Sequence, residues 1–183
     1  TDKHPYEYKA LCPDGLTLAG DFFDSAMAEL ILDALHAHPG NLDPDRLSVS
    51  GTADHQKLLH TARQIKEQLS SAESCSAFIE GTDVSGRPGI QKVIITQKDF
   101  ERKIFPALQQ CVDCAARVLD RAGESYNPQI EILLTGGSSY IPLVRTLLEQ
   151  KFPHLAKDHI LQRFPEQAVA LGCALYANRQ LSD

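Results

Sequence analysis

The unit best suited to chemistry is Ile132-Leu133-Leu134-Thr135-Gly136-Gly137-Ser138-Ser139-Tyr140-Ile141-Pro142. An apolar run ends, two glycines turn the chain, and a helix opens with proline in its first turn. Glycines let the backbone approach a ligand without a β-carbon clash. Free N–H groups and the dipole of the following helix attract an anion. The unit therefore reads as a cradle for a phosphate or nucleoside, or as a tightly packed turn. Three more segments accompany it: Leu18-Ala19-Gly20-Asp21-Phe22-Phe23-Asp24, Ala62-Arg63-Gln64-Ile65-Lys66-Glu67-Gln68-Leu69-Ser70, and the stretch PEQAVALGCALYA at 165–177. In the last, Gly172 sits within an Ala-rich helix, where a bare backbone permits close contact with a neighbour.

Other reactive side chains form no pattern. The five cysteines are odd in number and irregular in spacing, which fits a reducing compartment better than a disulfide frame. Cys111 and Cys114 form a C-x-x-C inside an apparent helix, with no second pair or nearby His to complete a zinc set. Packing thiols are the better reading. His36, His38, His55 and His60 lie in polar company without metal-site spacing, and no role is assigned to them. Asp21 reads as a helix-start residue, and the pair Asp21/Asp24 as a minor candidate for a metal.

The elements that must position these residues follow from periodicity. Residues 6–11 alternate as a strand, Pro13-Asp14-Gly15 is a turn, and Leu16-Thr17-Leu18 resumes extended chain, so a hairpin is expected. A helix over 21–37 carries Phe23, Met27, Leu30, Ile31, Ala34 and Leu35 at the 3.6 period. A second helix spans about 52–69, with Leu58, Leu59, Ala62, Ile65 and Leu69 as its apolar stripe. Residues 74–80 and 90–95 read as two strands joined through Gly86-Arg87-Pro88-Gly89. Thr96 caps a helix running to about Ala122, which Pro106 should kink. A buried strand is expected at 130–135, a helix from Ile141-Pro142, and a final helix from about Pro165 to Gln180. That final helix is apolar nearly all round, the pattern of a helix buried between other elements.

The composition narrows the function classes. The chain has 183 residues and a formal charge of −6, with 18 Lys plus Arg against 24 Asp plus Glu, which argues against binding led by nucleic-acid phosphates. No apolar run approaches the roughly 20 residues needed to span a bilayer, and no signal peptide opens the sequence. A cytoplasmic location is therefore expected. The first residue is Thr1 rather than Met, in strand-forming sequence, so the chain is expected to be an excised piece.

The four segments, in this order and spacing, resemble the ATPase domain of the DnaK-type heat shock protein 70 chaperones, of the actin-like (ribonuclease H-like) ATPase fold. The resemblance covers nearly the whole chain and corresponds to the domain's second lobe. Gly136-Gly137-Ser138-Ser139-Tyr140-Ile141-Pro142 together with PEQAVALGCAL is the specific part; LAGDFFD and ARQIKEQLS are looser. The resemblance implies an α/β fold, a central sheet with packed helices plus a smaller α+β subdomain. Residues 1–37 and 96–183 would form the larger subdomain, and residues 38–95 the smaller. It implies an adenine-nucleotide site, with ATP or ADP clasped between lobes and Mg present in the intact parent. Gly136, Gly137 and Ser138 match the turn beside the nucleoside and inner phosphate, Lys66 and Ser70 the adenosine contacts, and Glu166 the place of a family Asp.

Three residues depart from the family pattern. Arg63 replaces a Glu, Glu67 an Arg, and Tyr140 the Arg that flanks the purine. Arg63 and Glu67 exchange charges at i and i+4, so a pair can still form, in the less favourable order. Tyr140 offers either a flat ring for stacking or an ordinary surface tyrosine. Neither phosphate loop (DxG-T, GGGT) nor the catalytic Lys of the family occurs in the sequence, so no residue is assigned a catalytic role and turnover by this stretch alone is not expected. The implied partners are adenine nucleotide and, through the intact parent, unfolded clients, co-chaperones and a nucleotide-exchange factor docking on the smaller subdomain; neither a nucleic acid nor a membrane is expected as a partner. Two alternatives remain: a degenerate, non-hydrolytic relative acting as a protein-interaction module, and a small-molecule kinase of the same fold.

Overall fold

The computed structural model describes residues 12–180. Helix α1 (Gly20–Ala37) follows extended Ala19 and buries Phe23, Ala26, Met27, Ala28, Ile31 and Leu35. A short helix, α2 (Pro44–Leu47), was not anticipated in the sequence. The Asp43 side chain accepts from Asp45 N–H at 3.1 Å, Pro44 fits the first helical turn, and Leu47 plugs the core. Helix α3 (Ala53–Gln68) starts where Thr52 Oγ1 accepts from His55 N–H, and it packs along α1.

Strands β1 (Ser74–Thr82) and β2 (Pro88–Thr96) form an antiparallel pair with Cys75 opposite Ile95, Ala77 opposite Val93 and Gly81 opposite Gly89. Cys75, Ile79, Val93 and Ile95 face the core at period two, while Phe78, Ile90 and Ile94 face out. Gly89 is required by close approach: a β-carbon there would lie 2.9 Å from Asn41 O. Helix α4 (Gln97–Ala122) begins at Thr96, whose Oγ1 accepts from Asp99 N–H at 3.1 Å and donates to Asp99 Oδ2 at 2.6 Å. It runs through Pro106 and ends on Gly123, at φ 75°.

Strand β3 (Ile132–Leu133) pairs in parallel with β4 (Ile160–Leu161). Between them lie a 3₁₀ turn (Gly137–Tyr140) and α5 (Pro142–Lys151). Arg145 clamps α5 to β4 by donating to Ile160 O at 2.7 Å, and Lys151 ties it to α4 through Asp113 at 2.7 Å. Helix α6 (Ala168–Gln180) closes the described chain. One continuous core joins these elements, from Phe23 through Ile31, Leu58, Ile79 and Ile104 to Ile160. Each fully buried aliphatic side chain there contributes roughly 1.5–3 kcal/mol of transfer free energy.

The structure corrects three expectations. The strand at 130–135 shrinks to two residues. Leu133 is 57% exposed, because among the described residues β3 has a neighbour on one side only. The last helix starts at Ala168 rather than Pro165 and is exposed rather than buried: Val169 is 69% and Leu175 73% accessible. Its apolar circumference meets no covering element among the described residues. Gly172 makes no close approach, since a β-carbon there would meet nothing within 4 Å. The expected hairpin is not among these, because its first arm at 6–11 lies outside the described residues.

Candidate functional site

The glycine turn is held by its own hydrogen bonds. Gly136 adopts φ 81° and ψ 155°, a region open essentially to glycine alone. Its N–H donates to Pro165 O at 2.8 Å, and its carbonyl accepts from Ser139 N–H at 3.1 Å and Ser139 Oγ at 2.7 Å. Gln162 Nε2 donates to Ser139 O at 2.9 Å, fixing the turn to the segment after β4. The N–H groups of Gly137 and Ser138 take no backbone partner among the described residues, so both remain available to an acceptor. Glu166 Oε1 stands 4.0 Å from where a β-carbon on Gly137 would sit, and Ser138 Oγ 3.7 Å from the same point on Gly20. The structure thus brings LAGDFFD, the glycine turn and the PEQAVALG segment together, through Gly20, Ser138, Gly137 and Glu166.

A narrow crevice, closed to water in this structure, lies at the end of the turn. Lys66, Ser70, Phe100 and Glu101 line it, opposite Ile141 and Pro142. Lys66 and Ser70 therefore meet the far end of the glycine unit. Gly136, Gly137, Ser138, Tyr140, Arg63, Glu67 and Glu166 do not line this crevice. Ser70 Oγ donates to Lys66 O at 3.3 Å, which leaves its lone pairs free to accept. Burial pushes the Glu101 carboxyl above the ordinary carboxylate range. Tyr140 is exposed beside the turn, with its ring accessible.

Lys66 is the one buried charged residue among those described. Its ammonium pairs with Asp24 Oδ1 at 2.5 Å, both side chains being nearly inaccessible. Arg63 bonds Glu67 Oε1 at 3.0 Å on the exposed side of α3. That hydrogen bond first, then the Glu67 charge and the more distant Asp24 and Asp21, raise the Arg63 guanidinium's affinity for its proton. The pair anticipated from the exchanged charges at 63 and 67 is therefore formed.

Asp24 as the partner of Lys66, and Glu101 in the crevice, were not identified from the sequence. A usable signal existed for the first. Asp24 lies in register with the buried stripe Met27, Ala28, Ile31 and Leu35, and Lys66 with Leu58, Ala62 and Leu69. A charge on a core stripe needs a partner. Cys114 is buried and Cys111 partly so; burial, then the neighbouring Cys114, pushes the Cys111 thiol up, as for a packing thiol rather than a reactive one.

Comparison with known proteins decides the family, since the model described as Hsp70 protein matches residues 6–180. The chain belongs to the Hsp70 family. A chaperone protein HscA homolog of Shewanella denitrificans is 31% identical over 163 residues, covering 88% of this chain and 23% of that protein. Chaperone protein HscA of Pectobacterium carotovorum and an HscA homolog of Bordetella petrii are each 30% identical over 88% of the chain. The chain spans about a quarter of the length of these relatives. Membership in the Hsp70 family implies the actin-like ATPase fold, and the mixed α/β architecture with small sheets is consistent with it. No described helix is long and apolar enough to cross a membrane.

Proposed function

We propose that this chain is the second lobe of an Hsp70 ATPase domain and supplies the adenosine side of an ATP or ADP site. The observation that carries the reading is the crevice in which Lys66 and Ser70 face Ile141-Pro142 at the end of the glycine turn. Lys66 offers an ammonium to ring or ribose acceptors, Ser70 a hydroxyl, and Gly137 and Ser138 their N–H groups to an inner phosphate. Tyr140 presents a ring to the purine. Gly136 shapes the backbone, and Glu166 borders the turn at Gly137. Arg63 and Glu67 satisfy each other and flank the site without entering it.

The larger subdomain is proposed at 1–37 and 96–183 and the smaller at 38–95. Two separate sheets support this division: β1–β2 lies within the second segment and β3–β4 within the first. Rotation of one part on the other would open the crevice, a common motion of two-lobed nucleotide clamps. Among the described residues no three His, Cys, Asp or Glu side chains stand together for a metal. In this reading Mg sits with the phosphate loops in the intact parent. There, turnover would couple to client folding in the cytoplasm, with an exchange factor acting on the smaller subdomain.

Calorimetric titration of the full-length protein with ADP tests the reading. Saturable binding weakened by Lys66→Met is expected, and absence of binding would refute it. One observation favours the second reading, a non-hydrolytic interaction module: Arg63 and Glu67, which depart from the family's charges, close on each other on the exposed side of α3 rather than toward the crevice. ATP binding without turnover in the full-length protein would support that reading.

A further inference from the structure

Asp24 lies outside the crevice that Lys66 lines, yet it is the only carboxylate with which the ammonium forms an ion pair among the described residues. The carboxylate comes from α1 and the ammonium from α3, each in register with its helix's buried stripe. A lysine stem of four carbons ordinarily reaches water with its charged end. Here the stem is enclosed and the charge is met inside the protein, with side-chain exposures of 10% for Lys66 and 15% for Asp24.

Arg63, one turn before Lys66, is the natural competitor for this carboxylate and feels its charge. Its own hydrogen bond, however, goes to Glu67. The charges at 63 and 67 thus close on each other and leave Asp24 to Lys66.

We infer that Asp24 is a positioning residue for nucleotide binding: it holds the Lys66 ammonium ordered at the crevice, where its remaining protons face the ligand. The inference rests on the nucleotide reading of the crevice given above. The ammonium is ion-paired with Asp24 Oδ1 and keeps donors for acceptors on a purine nucleoside. A side chain already fixed by its partner loses less freedom when ligand arrives, so the pair raises affinity without Asp24 touching the ligand. The same pair joins α1 to α3, which links the order of the site to the packing of the two helices.

Titration of the full-length protein with ADP, using Asp24→Asn, Lys66→Met and the double variant, tests the inference. Native protein binds ADP, and each single substitution weakens binding by about tenfold or more, the range for a hydrogen bond to a charged group. The double variant binds within about twofold of Lys66→Met, because the carboxylate acts only through the ammonium. A role for Asp24 that is independent of Lys66 would instead make the two losses multiply. Multiplying losses, or an Asp24→Asn protein that binds like native, overturns the inference and leaves the nucleotide reading standing. Native protein that does not bind ADP overturns both. If Asp24→Asn does not fold, comparing Lys66→Met with the double variant, which has no unpaired charge at the site, decides by the same criterion.

Discussion

Replacing Gly136 by alanine tests whether the glycine turn is a backbone device or a spacer. A β-carbon at Gly136 meets nothing within 4 Å, so crowding costs nothing. The cost lies in the backbone: φ 81° with ψ 155° falls in a region where a non-glycine residue costs about 1–3 kcal/mol. The turn cannot relax cheaply, because the N–H and carbonyl of Gly136 make three hydrogen bonds between them. Loss of glycine freedom in the unfolded chain returns about 0.4–1 kcal/mol, leaving a net loss of about 1.3 kcal/mol from the middle of the two ranges. Gly123 is the internal control. It also has open space around it, but at φ 75° and ψ 19° it is left-handed helical, where alanine costs about 1–2 kcal/mol. After the same offset, Gly123→Ala should lose about 0.5–1 kcal/mol. For a chain of this size about 1 kcal/mol shifts Tm by roughly 2–4 °C. Thermal unfolding followed by circular dichroism should therefore show Gly136→Ala melting about 4 °C lower and Gly123→Ala about 2 °C lower. Equal shifts, or no shift for Gly136→Ala, would refute the backbone argument.

Three further outcomes follow from particular contacts. Phe164 holds φ 47°, unfavourable for a bulky residue, with its ring exposed; Phe164→Asn should raise stability by about 0.5–1 kcal/mol in urea denaturation, and a loss would show that the ring has a packing role. Thr96→Ala removes the cap of α4 and should cost about 1–2 kcal/mol by the same measurement, with a neutral result counting against the cap. The Asp14 carboxyl is held below its ordinary range, first by Gly15 N–H and then by the charges of Arg117 and Arg121. Its stabilising effect is therefore present above the unfolded pKa of about 4 and is lost as pH falls through the lower folded value. Asp14→Asn should lower Tm at pH 7 and match native protein in strong acid; a gap that persists there would contradict the assignment.

The long helices were legible because each carries one uninterrupted apolar stripe: 21–37 became Gly20–Ala37, 52–69 became Ala53–Gln68, and the helix capped by Thr96 ends at Ala122 as anticipated. The strand pair was legible from β-branched alternation. Helix α2 escaped because four residues hold too little pattern, although Asp43-Pro44 is a start signal. The apolar face of α6 was misread because composition states that a helix wants cover, not that its own chain provides it. At the site, the glycine turn was legible in local sequence and Lys66 was indicated only by the family resemblance. The Asp24 partner was not, because pairing between α1 and α3 is set by tertiary packing that a linear scan does not contain.

Nucleotide is proposed to occupy the space between the end of α3 and the glycine turn. Hydrogen–deuterium exchange of the full-length protein, with and without ADP, measures this at the amides concerned. ADP is expected to slow exchange in peptides covering residues 62–70 and 136–142, where the Gly137 and Ser138 N–H groups lack backbone partners among the described residues. Slowed exchange confined to other segments, or unchanged exchange in both peptides at saturating ADP, would contradict it.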